Sequence, residues 1–240
     1  MNSQARIGTL STMKKLPLLV AALALLALSG CAADSTASFT DADAQEILFG
    51  KDTQASFGTL GYTAEKNTLA TDSVANYLAN VSDATDVFAP AKCGNSARPL
   101  LLSGRDASST DRFYELPTLV TGSAVVTVQA RLFSTDAAAK AFLTDFHTAV
   151  AACPQFTDTK GGDTIGVAVA VSDQDPDGRG FFIDTVAGTS DAARSFRTYI
   201  VLQGNLAFAV QGVATNDADD KLLVNTSSVL YARASKGSAE

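Results

Sequence analysis

The clearest pattern of apolar and polar positions lies in GSAVVTVQARLF, Gly122 to Phe133. Val126, Val128, Ala130 and Leu132 alternate with Val125, Thr127, Gln129 and Arg131. A period of two predicts a strand with one face buried. Ser134 or Thr135 then caps a helix from Asp136 to about Ala152, in which Phe142, Phe146 and Val150 recur every four residues beside Leu143 and Ala149. Further strands are predicted over Thr164–Val171, Gly180–Ala187, Arg194–Gln203 and Leu206–Ala214, the last two joined by the hairpin signal Gly204-Asn205. Asn216 or Asp217 opens a final helix to about Ala234, with Leu222, Leu223, Thr226, Val229 and Leu230 on its buried side. Asp217, Asp219 and Asp220 in its first turn suit the positive end of the helix dipole. Nearer the start, Thr40 or Asp41 caps a short helix to Phe49 and Gly50 stops it. Between these elements the pattern is thin: apolar residues over Leu69–Tyr77 place no definite element, and Ala97–Leu102 reads as a second short helix. Five strands joined mostly by short turns, with helices gathered on one side, predict an α+β single domain built on an antiparallel sheet.

The first thirty residues follow a different logic. Lys14 and Lys15 precede an apolar run from Leu16 to Leu28, and Leu28-Ser29-Gly30-Cys31 places small residues before a cysteine. A positive start, a short apolar core and a small-residue cleavage site describe a secretory leader. The run falls short of the about 20 apolar residues that span a bilayer. Leu-Ser-Gly-Cys resembles the bacterial lipobox, which implies a diacylglyceryl group (palmitate-type chains) on the Cys31 thiol and Cys31 as the first mature residue. Two acyl chains suffice for stable anchoring. Ala32 to Ser38 is small and polar and reads as a flexible tether. The expected organisation is a leader over 1–30, a lipidated cysteine and tether over 31–38, and a folded domain over 39–240. Translation starts at Met1 or at Met13; Met13-Lys14-Lys15 opens a standard leader.

Charge sharpens the address. Arg6, Lys14 and Lys15 leave with the leader, so 18 basic residues become 15 against 25 acidic ones, and the net charge falls from −7 to −10. Such a chain does not bind nucleic acid by general electrostatics. With roughly 210 residues it is large enough for one domain with a real core. With Cys31 carrying lipid, Cys93 and Cys153 remain. In an oxidising compartment two such cysteines pair, and closing that loop contributes about 4 kcal/mol on the chain-entropy model. The competing reading is a catalytic thiol served by His147, the only histidine. Cys153 follows His147 by about 600° of helical rotation, which points the two side chains apart.

The early helix ending at Gly50, Pro90 shortly before Cys93, the run Phe133-Ser134-Thr135-Asp136 leading into the helix that reaches Cys153, and the Gly204-Asn205 hairpin before the last helix occur in a definite order. Over roughly Phe39 to Arg233 this order resembles the PknH-like extracellular sensor domain of actinobacterial lipoproteins and membrane kinases. The resemblance implies a curved antiparallel sheet with flanking helices, a cleft for an unidentified ligand, and a Cys93–Cys153 bridge. A second cysteine pair frequent in that family is missing, and Val150 stands where the family often has Trp.

Candidate chemistry is sparse. DQDPDGRGFFID, Asp173 to Asp184, sets Asp173, Asp175, Asp177 and Asp184 at positions 1, 3, 5 and 12 of a calcium loop. A polar hairpin turn is the competing reading: the flanks read as strands, Pro176 stiffens the loop and Gly180 replaces an apolar residue. No G-x-S-x-G marks a serine hydrolase, and Gly161-Gly162 lacks the lysine and helix of a phosphate loop. Asn80-Val-Ser82 and Asn225-Thr-Ser227 are formal glycosylation sequons, read as chance in a bacterial lipoprotein. Arg131, Arg194, Arg197 and Tyr199 are strand residues that could orient a ligand. The expectation is a non-enzymatic, cofactor-free binding or sensor domain, lipid-anchored on the outer side of the cell membrane. Its partner would be a small molecule or an envelope protein; the alternative is an interaction protein that signals by contact.

Overall fold

The computed structural model describes residues 38–64, 70–73, 87–97, 110–116, 118–122, 124–160, 162–172, 180–189, 192–213 and 217–237. All belong to one compact unit, Thr36–Glu240. The helices are α1 (Asp41–Phe49), α2 (Lys51–Thr59), α3 (Asp136–Ala151) and α4 (Asp217–Gly237), with a 3-10 turn at Ala91–Ala97. The strands are β1 (Thr63–Ala64), β2 (Ala70–Ser73), β3 (Val87–Ala89), β4 (Arg112–Glu115), β5 (Leu119–Thr121), β6 (Ala124–Leu132), β7 (Gln155–Lys160), β8 (Asp163–Ser172), β9 (Gly180–Gly188), β10 (Arg194–Gln203) and β11 (Leu206–Val213).

All the described strand pairs are antiparallel. The sheet runs β1-β5-β6-β11-β10-β9-β8-β7-β3, with β2 and β4 continuing the β1 and β5 rows. β4 and β5 lie end to end along β6: Glu115 pairs with Gln129 and Leu119 with Val126, so one extra residue bulges between them. β7 to β11 form a meander, and β6 closes onto β11.

The sheet is therefore larger than the expected five strands. The elements missed are short or polar: β7 reads Gln-Phe-Thr-Asp-Thr-Lys, with Phe156 alone buried among residues 155–159, and β3 has three residues. A second correction concerns the layers. Val126, Val128, Ala130, Leu132, Leu206, Phe208 and Val210 pack under α1, α2 and α4. The alternate residues Ile200, Ala207 and Ala209, with Phe181 and Ile183, pack under Ala139, Phe142, Phe146 and Val150 of α3. Helices thus cover both faces, not one. The cause is visible in β10 and β11, where Tyr-Ile-Val-Leu and Leu-Ala-Phe-Ala-Val are apolar on both sides.

The ends of α1 follow the sequence rules and then depart from them. The Thr40 side chain accepts from the Asp43 backbone, and Asp43 answers at the Thr40 backbone, a capping box. Gly50 ends α1, as expected, but α2 starts at once on its far side. A Cβ at Gly50 would lie 2.4 Å from the Glu46 carbonyl oxygen, so glycine allows the tight change of direction. The Thr53 hydroxyl donates to the Ile47 carbonyl (2.7 Å) and Phe57 is buried, so this second helix packs as core. Arg233 of α4 donates to Asp52 at 2.9 Å and fastens α2 from outside.

Candidate functional site

The chemically capable side chains that lie among the described residues have definite places. Cys93 and Cys153 form a disulfide, both buried, tying the 3-10 turn to the end of α3. The bond removes the thiol that a Cys/His pair would need. His147 packs edge-on against the Phe181 ring at 5.0 Å. Cys31, Asp173, Asp175 and Asp177 lie outside the described residues, as does most of the expected helix over Ala97–Leu102. Asp184 lies in β9, and both its oxygens accept from Arg197, at 2.5 and 2.9 Å. Among the described residues no cluster of three or more His, Cys, Asp or Glu could hold a metal.

Arg131, Arg197 and Tyr199 serve the fold. Arg131 comes from the face of β6 expected to be polar, yet its side chain is only 4% exposed. Its guanidinium lies 4.6 Å from the centroids of both Phe133 and Phe142 and donates to Asp111 at 3.0 and 2.5 Å. Burial lowers its pKa, and the hydrogen bond and charge of Asp111 oppose that shift. Arg197 bridges Asp184 to Asp220 in the first turn of α4 and leans over the Phe182 ring. The Asp184 hydrogen bond raises its pKa. Tyr199 is stacked on Phe182 beneath α4. Arg194 is exposed at the start of β10. The Tyr114 phenol donates to Asp41 at 2.5 Å, which holds that carboxyl below its ordinary range, while burial pushes the phenol far up.

Two hollows are formed by described residues. The larger, about 500 Å³, opens where β7, β8 and β9 meet the turn before β10. Its floor is made by Gly166 and Ala168, and its sides include Gln155, Thr157, Val186 and Ala193. Among the described residues that line it none is charged. Apolar contact with a few amides and hydroxyls suits an uncharged ligand. The smaller, about 290 Å³, lies beside Arg197, Asp217 and Asp220. Arg197 already faces two carboxylates there, so its charge is spent on protein partners.

The candidate arginines Arg131, Arg194 and Arg197 are not among the described residues that line the larger hollow, and the residues that do line it were not singled out as ligand contacts in the sequence. A signal exists: Gly166, Ala168 and Ala170 alternate with Val167, Val169 and Val171. A strand face of only Gly and Ala leaves space above itself, which period-two reading registers merely as a less hydrophobic side.

No family model matches the chain, and no curated protein sequence matches it. Among solved structures, the extracellular domain of PknH from Mycobacterium tuberculosis superposes with a TM-score of 0.55 at 12% identity, covering 81% of this chain and 97% of that one. An Rv0999 ortholog from Mycobacterium smegmatis gives a TM-score of 0.44 at 14% identity, covering 75% and 95%. At such identity the likeness concerns the fold, and on that ground this chain has a fold of the PknH extracellular-domain type.

Proposed function

We propose that the protein is an extracytoplasmic, sensor-like binding module, held to the membrane by acyl chains on Cys31 and without catalytic activity of its own. The observation that carries this reading is the fold shared with an extracellular domain over 97% of that domain's length. The leader-like pattern over residues 1–30 before Cys31 and the buried Cys93–Cys153 bridge support the same address, because such bridges persist in oxidising compartments. The hollow on β8, whose described lining is apolar residues, amides and hydroxyls, supports a neutral, partly apolar ligand over a phosphate or a carboxylate. Native mass spectrometry of the protein extracted from its own envelope tests the proposal. A trimmed chain carrying diacylglyceryl on Cys31, with a co-purifying neutral molecule, is the expected result. An untrimmed chain with free Cys31 and no adduct overturns it.

A second reading, an interaction protein working by contact, draws on a different observation. Val87, Val125, Val186 and Val213 are exposed large apolar residues. A lipidated chain that carries an envelope protein and no small molecule through the same measurement favours this reading.

A further inference from the structure

The chain enters the folded body at one end of the sheet, and the features available for recognition lie at the other. Phe39 is buried and clamped by Asn205 in the turn between β10 and β11. The Asn205 side-chain oxygen accepts from the Phe39 amide at 2.7 Å, and its amide group donates to the carbonyls of Phe39 and Phe133 at 3.1 and 2.8 Å. Leu206 pairs with Leu132 and Arg112 with Leu132, so the Phe39 clamp marks one pole of the strands.

Along β10 the opposite pole is reached at Arg194, which pairs with Ala187. At about 3.3 Å per residue this is roughly 30 Å from the clamp. Gly166 pairs with Gly188 there, which places the larger hollow at this pole. Val213 pairs with Phe196 and Val186 with Ser195, so both lie in the same half of the sheet. Val125 pairs with Val120, one residue from the Leu119–Val126 pair, and Val87 pairs with Thr159 beyond the end of β10. All four exposed valines are therefore remote from Phe39.

We propose that the Phe39–Asn205 pole faces the bilayer and that the hollow, with its surrounding valines, is presented away from it to a ligand arriving through the aqueous envelope, not from the lipid. This rests on the reading that Cys31 is lipidated. Cys31 precedes Phe39 by eight residues, so extended chain keeps the clamp within about 28 Å of the anchor. The Phe39 clamp fixes the pole at which that tether joins the body. A body lying on the side that holds the smaller hollow would bring Asp184, Asp217 and Asp220 toward the headgroups. With a net charge of −10 after the leader, a bilayer rich in anionic lipid resists that posture.

The test uses the processed, membrane-extracted protein in vesicles of phosphatidylcholine and phosphatidylglycerol bearing an energy acceptor on their headgroups. A donor dye is attached through Ala137→Cys in the first turn of α3, or through Ala192→Cys in the turn before β10; both positions are exposed. The expected result is roughly twofold or greater energy transfer at 137 relative to 192, from the approximately 30 Å strand span. Equal transfer, or more at 192, with the protein floating with the vesicles, overturns the orientation while leaving the anchor intact. A protein that does not float overturns the anchor, and the orientation with it. Thermal unfolding midpoints of the two labelled variants within about 2 °C of the unlabelled protein establish that both report on the native body.

Discussion

Removing the carboxylate of Asp111 should destabilise this protein far more than a typical surface substitution. Its partner Arg131 is 4% exposed and held between two phenylalanine rings, so water cannot replace the lost charge. Breaking one side of a buried ion pair costs about 3–5 kcal/mol, because the remaining ion stays desolvated. Asp111→Ala also removes the acceptor of the Ser134 amide at 3.3 Å, adding about 1 kcal/mol. Urea unfolding of the oxidised protein at neutral pH reads the loss. With a slope of about 2–3 kcal/mol per molar for a domain of this size, the midpoint falls by roughly 1.3–3 M. The double variant Asp111→Ala/Arg131→Met separates pair energy from packing. Methionine fills the space between the rings without a charge, so the double variant should recover most of the stability. A single variant that loses under about 1 kcal/mol would show that the pair behaves as an exposed one and refute the reasoning. A double variant as damaged as the single would show that the loss is one of packing alone.

Other expectations can be checked with the same unfolding assay. Asn205→Ala removes three hydrogen bonds that hold Phe39 and Phe133, and should cost about 2–4 kcal/mol; it should also expose the bond after Phe39 to chymotrypsin, and a variant as resistant there as the parent would contradict the clamp. Cys93→Ala/Cys153→Ala should lose about 4 kcal/mol for the loop of 60 residues, and a midpoint unchanged by the substitution would dismiss the bridge as a stabiliser. Acid should weaken the fold. The Tyr114 hydrogen bond holds Asp41 below its ordinary pKa, and the Thr40 hydroxyl does the same for Asp43. Their contribution is complete above the unfolded carboxyl value near pH 4 and disappears as pH falls through the lowered folded values. Asp41→Asn should flatten the fall in midpoint between about pH 5 and 3; an unchanged slope argues against this linkage.

Local pattern alone determined several elements. β6 and α3 follow from the alternation after Gly122 and the four-residue spacing of Phe142, Phe146 and Val150, because each repeat can bury its apolar side in only one regular conformation. The Gly204–Asn205 hairpin is likewise local: Gly204 has φ 55°, which glycine adopts without strain. Pairing of Cys93 with Cys153 was legible from their number and setting, and the structure forms it. Tertiary structure decided the rest. The short strands β3 and β4 gain their hydrogen bonds only from neighbours distant in sequence, so no local signal marks them, and β5 is a three-residue arm of a hairpin with β6, too short for a period of two to register. Phe133 and, from α3, Phe142 close over Arg131 on the second face of β6, and that turned Arg131 from a candidate ligand contact into a buried structural cation. The hollow has the same origin: Gly166 and Ala168 are merely small residues until β9 and the turn at Ala193 are placed around them. Space between elements is a property of their packing, and a one-dimensional pattern of polarity does not encode it.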